Sequence, residues 1–154
     1  MSKPRQVDWQ QFIKLGRYTK GAMRVVNHFN YQKNWKILDA WTDSDHAGCL
    51  RTRKSTSCTM AFWGKHLVRS TSTTQAVISL SSGESEFYSA VKSASIGIGP
   101  VHMAMDLGVH VGQPVGMLVD ATAGIGIASR RGAGRIRHIH TPTLWLQKAV
   151  QDGK

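Results

Sequence analysis

The hardest constraint on folding in this chain is a change of period. From Cys58 to Ser72 the pattern is that of strands, interrupted once at Gly64-Lys65. A few residues later, in "SLSSGESEFYSAVKSA", the apolar positions Phe87, Ala90, Val91 and Ala94 fall on one helical face. A period-2 segment joined to a period-3.6 segment forces sheet and helix to share a core. Cys58 to Trp63 and His66 to Ser72 read as two strands of a β-meander, with Gly64-Lys65 as the hairpin turn. Trp35 to Thr42 and Arg24 to Tyr31 read as earlier strands. Ser81 and Glu84 have the spacing of a capping box, which places a helix start there. Pro100, in "GIGP", is expected to break or kink that helix, leaving a short second piece from Val101 to Leu107.

The remaining segments are shorter. Asp8 and Gln11 predict a capped amphipathic helix over residues 8 to 20, ended by Gly21. Val115 to Val119 reads as a strand ending at Asp120, followed by a small-residue helix over 121 to 129. Thr141 to Val150 reads as a final helix with Pro142 in its first turn. The sum is a mixed α/β domain: an antiparallel meander and a further strand, flanked by helices.

Charge narrows the partners. The 154 residues carry 20 Lys and Arg against 9 Asp and Glu, a formal charge of +11. Such an excess points to a polyanion, most simply a nucleic acid. Hydrophobic residues make up 41%, enough for a modest core. No apolar run approaches the roughly 20 residues that cross a bilayer, and no long basic amphipathic helix suggests a membrane surface. Cys49 and Cys58 imply no disulfide framework and fit a reducing, intracellular compartment, cytoplasm or nucleus.

With so few acids, their positions carry information. Asp43 ends one strand in "AWTDSDHAG", Glu86 sits one turn into a helix, and Asp120 ends another strand. Nucleases gather carboxylates from separate elements in this way to hold hard divalent cations such as Mg²⁺. Two such ions roughly 3.5–4 Å apart activate water and stabilise the leaving oxygen of a phosphodiester. Turn and cap roles compete with this reading for Asp43 and Asp120. Glu84 has a sufficient role in the capping box, and Glu86 has none. On the Glu86 side of the helix, the small residues Ser82, Ser89, Ala90 and Ser93 are expected to leave room for a ligand.

Two basic clusters accompany the acids. Arg51, Arg53 and Lys54 follow Asp43; Arg130, Arg131, Arg135 and Arg137 lie among glycines after the predicted small-residue helix, with His138 beside them. Both are expected to contact phosphates. The histidines match no zinc-site spacing. The tryptophans read as core or sheet residues rather than base-stacking platforms.

Four stretches in order, "WTDSDHAGCLRTRKSTS", "ISLSSGESEFYSA", "LVDATAGIGIA" and "RIRHIHTPTLWLQ", resemble the ribonuclease H region of copia-type retrotransposon polyproteins, over about residues 36 to 150. "DWQQFIKLGRYTKG" resembles the tail of the preceding reverse transcriptase. The resemblance implies a division into residues 1–33, the reverse transcriptase tail, and 34–154, a ribonuclease H-like domain. It implies a mixed sheet with an antiparallel meander plus a parallel strand. It also implies Mg²⁺-dependent cleavage, with Mn²⁺ as a substitute, of the RNA strand of an RNA–DNA hybrid. The metal ligands of the family's motifs fall on Asp43, Glu86 and Asp120, with Asp45 a neighbour. The rest of a polyprotein is an implied partner.

The sequence also departs from the family. A fourth aspartate, with the last strand and helix, is expected after the point where this chain stops, so the domain reads as incomplete at its C-terminus. Ala121 replaces the usual Asn, His46 a common Trp, and His140 an acid. These departures weigh against activity in the isolated chain. They leave a second reading, a catalytically inactive remnant that binds nucleic acid through its basic surface.

Overall fold

The computed structural model describes residues 3–33, 36–111, 115–132, 134, 139 and 141–153. The chain divides into two compact units, Met1–Tyr31 and Gln32–Lys154.

The first unit holds one helix, α1 (Gln6–Gly21). Its N-cap is Arg5, not Asp8. Asp8 lies within the first turn and accepts the Arg5 backbone N–H at 2.8 Å, while the Arg5 guanidinium closes on the same carboxylate at 3.4 Å. An acid there both caps and complements the positive end of the helix dipole. Residues 24–31, expected as a strand, carry no regular structure. Alternating apolar residues do not make a strand without a neighbour to pair with.

The second unit is built on four strands: β1 (Leu38–Ser44), β2 (Thr56–Trp63), β3 (His66–Thr74) and β4 (Gly116–Val119). Their order is β3-β2-β1-β4. β1, β2 and β3 form the expected antiparallel meander, with a bulge at Ala61/Phe62. β4 returns parallel to β1, so the connection between them must cross the sheet, and α2 (Ser82–Asp106) provides it. This is an α/β mixed sheet flanked by helices, compatible with a ribonuclease H-like fold. After β4 come α3 (Thr122–Ser129), a 3₁₀ turn (Thr141–Leu144) and α4 (Trp145–Gln151); no strand follows among the described residues.

Ser81 caps α2 through the Glu84 N–H at 3.2 Å. The return arm of the box is shifted: the Glu84 carboxylate accepts the N–H of Leu80, at 2.8 Å, rather than that of the cap. Contrary to expectation, α2 runs unbroken through Pro100. Gly99 explains part of this, because the proline ring normally strikes the Cβ of the residue before it. The carbonyl of Ile96 still loses its helical donor. Pro100→Ala is therefore expected to stabilise the fold by about 1–3 kcal/mol, seen as a higher urea midpoint with an unchanged slope.

α2 packs on the sheet through small residues. Ala40 and Ala61 are fully buried, and Ser89 and Ser93 reach the strands directly. The Ser89 hydroxyl pairs with Thr42 at 2.8 Å, and Ser93 with Thr59 at 2.6 Å. The serines thus make room for the sheet rather than for a ligand, and each hydrogen bond contributes about 1 kcal/mol net. The apolar core lies further round α2, where Phe87, Ala90 and Ala94 meet Ile127 of α3, Ile139 and Leu146 of α4.

Candidate metal centre

Asp43 is the penultimate residue of β1, and Asp120 is the residue after β4. The parallel register sets Thr42 against Val119, so the two aspartates emerge side by side at the C-terminal ends of adjacent strands. Ligands of open α/β sheets bind at such ends. Glu86, one turn into α2, completes the group. One carboxylate oxygen from each of Asp43, Glu86 and Asp120 lies within 4.8 Å of the other two.

Two glycines allow that approach. A Cβ on Gly124 of α3 would sit 3.0 Å from the Glu86 Cβ, and one on Gly83 of α2 would sit 2.9 Å from the Ala123 Cβ. Without side chains at these points α3 lies directly against the first turns of α2. Asp120, two residues before α3, is thereby held next to Glu86.

The three carboxylates are not equivalent. Asp43 and Asp120 are exposed, whereas Glu86 is only 7% exposed. The Ser44 hydroxyl donates to Glu86 Oε1 at 3.0 Å. The other oxygen, Oε2, is buried with no hydrogen-bond partner. Burial, and then the charges of Asp43 and Asp120, hold the Glu86 proton on to a higher pH than usual, against the opposing bond from Ser44. The Ser89 hydroxyl also donates to the Asp43 carbonyl at 2.7 Å, tying the end of β1 to α2. A buried carboxylate oxygen without a donor, facing two other acids, is a cost that a hard cation removes.

Asp45 does not join the group. Its side chain accepts the Thr56 N–H and closes the loop between β1 and β2. Asp43 and Asp120 instead open into a cavity of about 570 Å³, lined also by Trp41, Cys58, Met60 and Leu118. Trp41 is a sheet residue, as expected, yet it is 53% exposed on the strand face that carries Asp43. Cys58 pairs directly with Asp43 across β1 and β2.

The predicted phosphate contacts are distributed. Arg51 and Arg53 are exposed on the loop that leaves β1 just after Asp43, with Arg53 in a left-handed backbone conformation. The Lys54 ammonium turns away to the carbonyl of Ala76, at 2.7 Å. Arg130 and Arg131 follow the C-terminus of α3, about 12 Å along the helix from its start near Asp120. Arg135, Arg137 and His138 lie outside the described residues. Sequence reasoning missed Ser44, Gly83 and Gly124. Ser44 had a visible signal, a hydroxyl between two acids at a strand end, but Gly83 and Gly124 matter only once the helices touch.

The chain matches no family model and no solved structure. Over 96 residues it is 31% identical to a protein of Arabidopsis thaliana described as uncharacterized mitochondrial protein AtMg00810. The match covers 62% of this chain and 39% of that protein, so the chain spans well under half the length of its relative.

Proposed function

We propose that this chain is the ribonuclease H region of a copia-type retrotransposon polyprotein, with residues 1–33 the tail of a reverse transcriptase. In this reading Asp43, Glu86 and Asp120 hold Mg²⁺ or Mn²⁺, and the substrate is the RNA strand of an RNA–DNA hybrid. The observation that carries the reading is the buried Glu86 oxygen without a hydrogen-bond partner, beside two aspartates at adjacent strand ends.

The residues suit such an ion. All three ligands are carboxylates, the oxygen donors that hard divalent cations require. Ser44 occupies Oε1 of Glu86 and leaves Oε2 for the ion. Ser89 fixes the backbone at Asp43, so that ligand enters on a rigid strand end. A divalent cation held by Asp43, Glu86 and Asp120 would supply the charge that activates water and neutralises a phosphodiester under attack. Burial and the two neighbouring acids raise the pH at which the Glu86 carboxyl ionises, and only the ionised carboxylate takes a cation, so ion affinity rises with pH through that range. Arg51 and Arg53 orient the substrate through its phosphates. Hydrolysis adds water oxygen to phosphorus and breaks the bond to the 3′ oxygen. Among the described residues no helix is long and apolar enough to cross a membrane.

The test is incubation of a hybrid, labelled on each strand, with Mg²⁺, Mn²⁺ or EDTA. Cleavage of the RNA strand alone, lost in EDTA, is the expected result. A cooperatively melting chain that binds the hybrid in a salt-sensitive way but leaves it uncut with either ion supports the binding-only reading instead.

A further inference from the structure

On the α2 side of the sheet, β3 and α2 enclose a second cavity of about 460 Å³, lined by Thr73, Thr74, Gln75, Tyr88, Lys92 and Thr143. The Lys92 ammonium donates to the Thr73 hydroxyl at 2.7 Å. The Lys54 ammonium donates to the carbonyl of Ala76, which also lines this cavity, at 2.7 Å. Two cations thus rest on neutral acceptors three residues apart. Among the described residues no carboxylate lines the cavity, and neither lysine forms an ion pair. A hydroxyl or carbonyl orients an ammonium without neutralising it, and each ammonium keeps two further donors. The charge therefore stays available to an anion, which forms shorter and stronger hydrogen bonds with it than a neutral acceptor does.

We propose that this cavity seats backbone phosphates of a nucleic acid, with Lys92 and Lys54 as the paired contacts. The excess of basic residues favours a polyanion over a small free anion. The seat is separate from the carboxylate group. Lys92 follows Glu86 by six residues, which places it about 240° further round α2, on the same face as Tyr88. Bases have no part in the contact, so it is indifferent to sequence. This seat rests on the nucleic-acid reading above but needs no cleavage, since it concerns binding alone.

The experiment is fluorescence anisotropy of the full chain with a labelled RNA–DNA hybrid in EDTA, over a series of salt concentrations. Lys92→Gln and Lys54→Gln are each expected to weaken binding several-fold and to lower the slope of log K against log salt by about 0.9, the value for one lost phosphate contact. Lys92→Arg is expected to restore the slope. Lys92 is exposed, so its variants should keep the wild-type melt, which is checked alongside. An unchanged affinity and slope in Lys92→Gln overturns the proposal. So does a loss of affinity at constant slope, since that is lost packing rather than a lost phosphate. Because EDTA removes any metal-dependent reaction, an uncut hybrid in the cleavage test leaves this result intact.

Discussion

Glu86→Gln is expected to lower hybrid cleavage by roughly a thousandfold and, in the same protein, to raise the melting temperature. The two effects share one cause. Glu86 is buried beside two acids and keeps its proton above its ordinary value of 4.5. Between that value and the raised one, the folded chain binds more protons than the unfolded chain. Stability therefore falls as pH rises through this window, and the deficit persists at neutral pH. Gln cannot ionise, so the variant has no such fall. It should therefore melt at a higher temperature than the wild type at neutral pH, with the gap closing towards pH 4. Mg²⁺ should raise the wild-type melting temperature and leave that of the variant nearly unchanged. Paired thermal melts from pH 4 to 8, with and without Mg²⁺, check each part. A lower melting temperature for Glu86→Gln at pH 7 would refute the account of the site, because it would mean that the ionised carboxylate is satisfied without a cation.

Phe87→Ala should cause the largest loss of stability. Phe87 is fully buried and packs against Ala90, Ala94, Ile127, Ile139 and Leu146, with the Tyr88 ring centred 6.2 Å away. Three of the partners sit on α3, α4 and the segment before α4, so this one ring ties α2 to the elements that follow β4. Truncation to Ala leaves a cavity that alanines and serines nearby cannot fill. The cost is about 3–5 kcal/mol, against a typical total of 5–15. The melting temperature should drop by something on the order of 10–20 °C. Phe87→Leu, which keeps most of the volume, should lose less than half as much. Equal losses for Ala and Leu in urea melts would mean that ring shape, rather than filled volume, holds this core together.

Much of the fold was legible because its signals are local. The meander from Thr56 to Thr74 was visible in its strand pattern and in Gly64-Lys65, and the start of α2 was visible in Ser81 and Glu84. These depend on residues a few positions apart. The failures depended on something further off. The segment 24–31 has a strand pattern but no strand, because pairing is a property of two segments. Pro100 did not end α2, since Gly99 removed the usual clash and packing carried the helix on. Ser89 and Ser93 were read as space for a ligand, but Thr42 and Thr59 of the strands face them.

The candidate site divides the same way. The sequence by itself determined that Asp43, Glu86 and Asp120 would stand at the ends of elements, since strand and helix boundaries follow local pattern. It also determined that the 9 acids could neutralise fewer than half of the 20 Lys and Arg. Only the tertiary structure decided that these three carboxylates meet while Asp45 turns to the Thr56 backbone. The parallel register of β1 on β4 made that choice, together with the close contact of α3 and α2 at Gly83 and Gly124. A slip of one residue in that register would have turned the side chains of one strand to the opposite face.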